Sequence, residues 1–189
     1  MSTTVRGAAP GDSERPSAPS STAPAAGPAV EAFDDATFRQ VLARFATGVV
    51  VVTGATPEGP AGLTCQSFSS LSLDPPLVLL STARSSKTWP RIEATGRFAV
   101  NVLGLDQEEL SERFAVSGGD KFAGVGWHSG ALGNPLLDGA IAHIECDVHA
   151  LHDGGDHVIV LGRVRALEAP GLDRAPLIYF RSAYRSLAG

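Results

Sequence analysis

The clearest pattern along the chain is the alternation over residues 140–150, where Ala142, Ile144, Cys146, Val148 and Ala150 interleave with His143, Glu145, Asp147 and His149. A period of two over that length predicts a long strand with one apolar and one wet face. Asp153-Gly154-Gly155 then reads as a hairpin turn, and Val158, Val160, Gly162, Val164 and Ala166 alternate on the returning strand. Upstream, Phe38, Val41, Leu42 and Phe45 stand at i, i+3, i+4 and i+7 behind Asp34 or Asp35 as a cap. That stripe predicts a helix, which Gly48 would end. The four valines at 49–52 read as a strand buried on both faces. Residues 53–62, with Pro57, Gly59 and Pro60, read as a turn region, and 63–67 resume extended structure. Pro75 and Pro76 introduce a short buried strand at 77–80. A short helix is expected over 87–94 with Pro90 in its first turn, and a strand over 97–103. Asp106 and Glu109 have capping-box spacing before a helix carrying Leu110 and Phe114. Residues 117–134 are glycine-rich and loop-like, and 177–180 give a final strand. Six or seven strands, few helices and no strand–helix–strand rhythm predict a mainly β, antiparallel small barrel.

Composition changes this picture at one end. Ala, Pro and Ser crowd residues 1–30, where only Met1, Val5 and Val30 are sizeable apolar residues. Such a stretch buries too little surface to offset its ordering entropy, so a disordered tail is expected over 1–32 and one folded domain over 33–189. The tail has no apolar core of a secretory signal, and no run of 18 apolar residues predicts a membrane span. The formal net charge of −5 argues against nucleic acid as a partner. Cys65 and Cys146 lie in apolar-patterned segments; two buried free thiols in a reducing, cytoplasmic setting are favoured over a bridge.

Four constellations offer chemistry. Residues 62–76 crowd Thr64, Gln66, Ser67, Ser69, Ser70 and Ser72 between two strands, which suits a phosphate or the polar edge of a heterocycle. The plainer reading is a serine-rich connection that satisfies its own backbone. Residues 81–88 set hydroxyls, Arg84 and Lys87 just before a short helix, either an anion seat or ordinary capping. His157, behind Gly155 and Asp156, is either an acid/base or ligand-contacting group or a surface turn histidine. His143, Glu145, Asp147 and His149 share a strand face and raise a metal site. Residues i and i+6 on a strand lie about 20 Å apart, however, so a solvated polar face is favoured and no metal is expected. P-loop, GxSxG and HExxH motifs are all absent from the sequence.

Taken together, the segments resemble the short-chain flavin reductase family, the reductase components of two-component flavin-dependent monooxygenases. The resemblance runs from Phe38-Arg-Gln-Val-Leu and Thr47-Gly-Val-Val-Val-Val-Thr53 through Cys65-Gln-Ser-Phe-Ser-Ser-Leu-Ser-Leu-Asp-Pro-Pro-Leu-Val-Leu80 and Ser86-Lys-Thr-Trp89. It continues with Gly96-Arg-Phe-Ala-Val-Asn-Val-Leu103, Asp120-Lys-Phe-Ala-Gly124, Gly155-Asp-His157 and Pro176-Leu-Ile-Tyr-Phe-Arg181. Reductases serving steroid-degrading and antibiotic-tailoring hydroxylases look most similar. The resemblance implies a split β-barrel homodimer with flavin near the subunit interface. It sets Pro60, Ala61, Gly62, Leu63 and Thr64, with Gln66 and Ser67, against the isoalloxazine ring. Ser81, Thr82, Ala83, Lys87 and Thr88 then match ribityl and phosphate contacts, and Arg113 and Phe114 a further flavin pair. Asp156 and His157 match a pyridine-nucleotide turn, His157 being the residue associated with hydride transfer. Tyr179, Phe180, Arg181 and Ser182 match a nicotinamide-nucleotide contact, with Ser182 where close relatives often have Gly. The implied activity is hydride transfer from NADH to FAD, with FMN as the alternative, and release of reduced flavin to a partner monooxygenase. NADH is favoured over NADPH because no arginine cluster for a 2′-phosphate stands out in the sequence. The rival readings are a non-catalytic flavin-binding module, a metal-dependent hydrolase on the His-rich strand, and a stand-alone flavin oxygenase. The chain leaves little room for the last.

Overall fold

The computed structural model describes residues 32–171 and 173–187, and the expected tail lies outside them but for its last residue. The barrel belongs to the compact unit Asp34–Gly189. It opens with α1 (Asp35–Leu42), whose cap Asp34 accepts from the Thr37 backbone N–H at 2.8 Å. The helix stops earlier than expected: Ala43 caps it, and Gly48 belongs to a two-residue strand β1 (Thr47–Gly48).

Three of the four valines open β2 (Val50–Thr56), and with Val49 just before it the run does face two cores. Val50 and Val52 pack with Leu80, Phe98 and Cys146, whereas Val49 and Val51 pack with Leu103, Phe114 and Leu177. β3 (Gly59–Cys65) pairs with β2 as a hairpin, so most of the region expected as a turn is strand. Pro60 is tolerated because β3 is the edge of its sheet, where a missing N–H leaves no ladder bond unmade. The serine-rich connection is itself a strand, β4 (Ser69–Leu73), paired with β5 (Pro76–Ala83). Next come α2 (Trp89–Glu93), with Pro90 in its first turn, and β6 (Arg97–Val102).

α3 (Glu108–Ala115) lacks the expected capping box. Gln107 occupies the cap position, but its side chain is drawn to the Gly104 N–H and the Asp138 carbonyl, and Asp106 pairs with Arg174. β7 (Trp127–Ser129), within the expected loop, pairs with β8 (Pro135–Leu137) directly after it. The long alternating hairpin is β9 (Ala142–Gly154) and β10 (His157–Glu168), and the chain ends on β11 (Ile178–Phe180) and β12 (Ala183–Arg185). The twelve strands among the described residues exceed the six or seven expected because five of them are three residues long or shorter.

Seven strands form one antiparallel sheet in the order β3-β2-β6-β9-β10-β5-β4. β3 and β5 are not ladder neighbours, yet the Ser67 hydroxyl, just past β3, accepts from the Ser81 N–H at 2.8 Å and donates to the Ser81 carbonyl at 3.0 Å. The sheet thus meets itself through a side chain rather than a ladder, the arrangement of a split barrel. A buried polar junction fastens the middle. Asn101 donates to Val51 O and Thr53 Oγ1, both at 3.0 Å, and accepts from Leu137 N at 2.7 Å.

The expected wet face of β9 is wet at one end only. His143 and Glu145 are buried, since the loop around β7 and β8 covers them. His143 Nδ1 meets Glu168 Oε1 at 2.6 Å and Nε2 meets Leu137 O at 3.0 Å. Glu145 accepts from Leu132 N at 3.0 Å and Asn134 Nδ2 at 3.2 Å. The described residues contain no group of three or more His, Cys, Asp or Glu arranged to hold a metal. No helix among them is long and apolar enough to cross a membrane. Cys65 and Cys146 are buried free thiols.

Candidate functional site

A groove of about 500 Å3 opens at the β3–β5 seam. The end of β3 supplies Leu63, Thr64 and Cys65, followed by Gln66 and Ser67. The end of β5 supplies Ser81, Thr82 and Ala83, and the loop before α2 supplies Ser85 through Thr88. Phe114 at the end of α3, residues 115–118 after it, Lys121 and His157 complete the wall. A second lobe of about 410 Å3 shares Lys87, Thr88, Gly118 and Lys121 with the first and adds Pro60, Ala61 and Gly62.

The polar groups of this groove differ in what they have left to offer. Thr64 Oγ1 donates to Ser111 O at 2.6 Å, Ser67 is committed to Ser81, and Ser86 Oγ accepts from Thr88 and Trp89 N–H at 3.3 and 3.2 Å. The Thr82 hydroxyl is buried and has no hydrogen-bond partner among the described residues. The Gln66 and Lys87 side chains line the groove, likewise without a hydrogen-bond partner among the described residues. Arg91 reaches the second lobe but is tied to Glu58 at 3.3 Å, and Lys121 there is engaged by the Gly62 and Phe114 carbonyls, which leaves Lys87 as the cation with no partner among the described residues. Hydrogen bonds from Thr56 and then Arg91 hold the Glu58 carboxyl below its usual range. An orphaned buried hydroxyl, an amide and an ammonium around one elongated cavity fit a flavin, whose ring edge and phosphate need such donors.

Lys121 is a groove residue without a signal of its own in the sequence, although it lies in one of the resembling blocks. Its Nζ donates to Phe114 O at 2.9 Å and Gly62 O at 3.2 Å, tying the loop after α3 across both lobes. Burial lowers its pKa below the usual lysine value. Ser85, Ser86 and Ser117 also line the groove. Arg113 does not: its Nη1 donates to Ala123 O at 2.8 Å, away from the cavity. Phe114 is buried and packs edge-on against Phe122, with ring centroids 5.0 Å apart.

His157 opens β10 opposite Ala83, which brings it to the groove, and its Nδ1 meets Asp156 Oδ1 at 2.7 Å. That hydrogen bond is the main cause holding the Asp156 carboxyl below its usual range. His157 and Asp156 also line a cleft of about 680 Å3 against Asp35, Phe38 and Arg39 of α1. The block at 179–182 is not gathered there. Arg181 and Ser182 line a separate cleft of about 480 Å3 with Arg39, Gln40 and Arg44, and Arg39 is common to both clefts. Tyr179 packs against Tyr184 in the second core, and the Arg181 guanidinium lies 5.2 Å from the Phe180 ring centroid. Ser182 has φ +58, a left-handed conformation that glycine adopts without a Cβ penalty. The fold also brings Arg181 beside Arg39 and Arg44, a cluster that linear order hides, so a preference for NADH over NADPH cannot rest on a lack of arginines.

The fold and the groove define a split barrel with a donor-lined ligand site at its seam and a histidine-bearing hairpin at the mouth. The sequence profile of the "Flavin reductase like domain" family matches residues 42–188, and the chain belongs to that family of oxidoreductases. It is 46% identical over 155 residues to the flavin-dependent monooxygenase reductase subunit HsaB of Mycobacterium tuberculosis, covering 82% of this chain and 83% of that protein. It is 43% identical over 150 residues to the reductase component of 4-hydroxyphenylacetate 3-monooxygenase of Thermus thermophilus, covering 79% and 95%. Among solved structures it resembles the Streptomyces globisporus NADH:FAD oxidoreductase SgcE6 in complex with NAD and FAD fragments, with TM-score 0.78, 39% identity, and 84% and 98% of the two chains covered.

Proposed function

We propose, from the groove and the likeness to an NADH:FAD oxidoreductase, that this chain is an NADH-dependent flavin reductase that moves hydride from NADH to FAD and releases the reduced flavin to a flavin-dependent monooxygenase. The observation that carries the reading is one groove holding the donors of β3, β5 and the 85–88 loop with His157 at its rim. A flavin seated there supplies the electron acceptor: it takes one hydride from the nicotinamide and one proton from water, leaving NAD+. The residues of the chain bind and orient. Gln66, Thr82 and backbone groups of the strand ends meet the polar ring edge, and Lys87 meets phosphate charge. His157, held by Asp156, steers the nicotinamide ring to near-contact distance. The transfer needs no general base, so the groove's task is binding and alignment. FMN is the alternative acceptor, since the groove is lined for the half that both flavins share.

We further propose that the chain works as a homodimer in the cytoplasm. Despite its apolar stripe α1 buries no residue, and Val41, Leu42 and Phe45 are 58%, 54% and 76% exposed. An amphipathic helix left so open favours a second copy as cover. Light scattering after size exclusion tests the dimer. The activity is tested by NADH oxidation crossed over FAD, FMN and riboflavin. Flavin-dependent turnover is expected; flavin binding without turnover would leave a binding module instead.

A further inference from the structure

Arg84 follows β5 directly, between two residues that line the groove, but is not part of the groove wall itself. Its backbone N–H donates to Asp156 O at 2.9 Å, carrying the β5–β10 pairing one bond past Ala83 and His157. Its side chain wraps the hairpin turn: Nε donates to Gly155 O at 2.8 Å and Nη2 to Asp153 Oδ1 at 2.7 Å. The same Asp153 oxygen accepts from the Gly155 N–H at 3.1 Å. One side chain therefore fixes the turn at two points, and Asp153 relays the second inward.

The turn needs such a fixture. Gly154 and Gly155 stand side by side, Gly155 at φ +75, and neither carries a side chain to pack. Glycine backbones lose the most freedom on ordering. His157 follows at once, and its ring nitrogen is held by Asp156, a residue of the same turn. Where that ring sits over the groove is set by where the turn sits relative to β5. We propose that Arg84 is a positioning residue: by clamping the 153–156 turn to the flavin-lining end of β5, it sets His157 and the incoming nicotinamide over the flavin.

This rests on the reductase reading and names a residue that acts on it from outside the groove. A stabilising role alone does not account for the arrangement. The side chains of Arg84 and Asp153 are 51% and 82% exposed, and pairs so exposed contribute little to stability. Placement is where the effect is large, because a shift of about 1 Å in a reacting pair can lower its rate about a hundredfold.

The experiment compares Arg84→Ala, Arg84→Lys and Asp153→Ala with wild type in thermal melts and in steady-state kinetics with NADH and flavin varied separately. Arg84→Ala is expected to raise the NADH KM and lower kcat, together by about tenfold or more in kcat/KM, with the flavin KM within about twofold. Arg84→Lys, which keeps the positive charge and loses the planar fork, should recover part of the loss. Adding Asp153→Ala to Arg84→Ala should cost less than the two separate losses combined. NADH parameters within about twofold of wild type in Arg84→Ala would overturn the proposal, as would losses that fall equally on flavin and NADH and track the melting temperature. Absence of flavin-dependent NADH oxidation in the wild type would overturn the reductase reading itself, a different result from an inert Arg84.

Discussion

Gly62→Ala tests whether the wall of the groove and the second core are one packed body. Gly62 sits in β3, and a Cβ built there lies 2.6 Å and 2.8 Å from Cε1 and Cδ1 of Phe114 and 3.3 Å from Thr53 Cγ2. Carbon pairs are comfortable from about 3.5 Å, so the ring must retreat by about 1 Å. It has little room to do so: Phe114 is 1% exposed and meets Phe122 at 5.0 Å between centroids. Overpacking of this kind costs about 1–3 kcal/mol, and a smaller unfolded-state entropy with Ala returns about 0.4–1 kcal/mol. A net loss of about 1–2 kcal/mol corresponds to a melting temperature lower by roughly 2–8 °C for a chain of this size. Because Phe114 lines the groove, the flavin KM should rise with it. Thermal melts and flavin titration of Gly62→Ala, alone and combined with Phe114→Leu, give the answer. The double variant should recover most of the melting temperature. Gly48→Ala is the control, since a Cβ there meets nothing and the backbone is not left-handed. A Gly62→Ala protein that melts and binds flavin like wild type would refute the packing argument.

Three further outcomes are expected. Lys87→Ala should raise the flavin KM about tenfold with a smaller change in kcat, as loss of one charge-assisted contact would; an unchanged flavin KM removes Lys87 from the phosphate contact. Glu145→Ala should lower stability by about 1–3 kcal/mol in urea unfolding and leave the flavin KM alone, because Leu132 N–H and Asn134 lose their carboxylate. Burial raises the pKa of both thiols, that of Cys146 to about 12 with help from Asp147 and Glu145. At about pH 8 roughly one Cys146 in ten thousand is then thiolate. Alkylation of the native protein should be slow and quicken as pH rises, whereas denaturant should expose both thiols; rapid native labelling at that pH would contradict the burial.

The parts of the fold legible in the sequence are those whose burial follows a simple period. β9, β10 and the valine strand announce themselves because their side chains alternate between two environments; of the contacts the resemblance implies, those on β3, β5 and the 85–88 loop fall on the groove wall, whereas Arg113 and residues 179–182 do not. The misreadings share one cause, a tertiary partner that overrides a local preference. Pro60 and Gly62 read as turn formers, but an edge strand accepts the first and the close approach of Phe114 requires the second. The serines of β4 read as a loop because Leu71 and Leu73 leave no buried face to betray a strand. His143 and Glu145 look solvated until a glycine-rich loop, with Gly130 against the Glu145 carboxylate, closes over them. Lys121 carries no local signal and Arg84 reads as part of an anion seat, since the roles of both consist in reaching groups distant in sequence.

The seam between β3 and β5 is a line of the barrel that no backbone ladder crosses. Within the sheet, neighbouring strands are laced by ladders of backbone bonds that must break together. Across this line stand instead the Ser67 hydroxyl, shared with Ser81, and a weak contact from the Cys65 thiol to the Ser81 carbonyl at 3.8 Å. Each such bond holds by about 1 kcal/mol. Widening the groove there breaks no backbone ladder; what resists it is the apolar packing of Ala61 and Cys65 in one core with Val78 and Leu80. Ligand passage at such a seam is therefore opposed by side-chain packing and two side-chain contacts rather than by a backbone ladder.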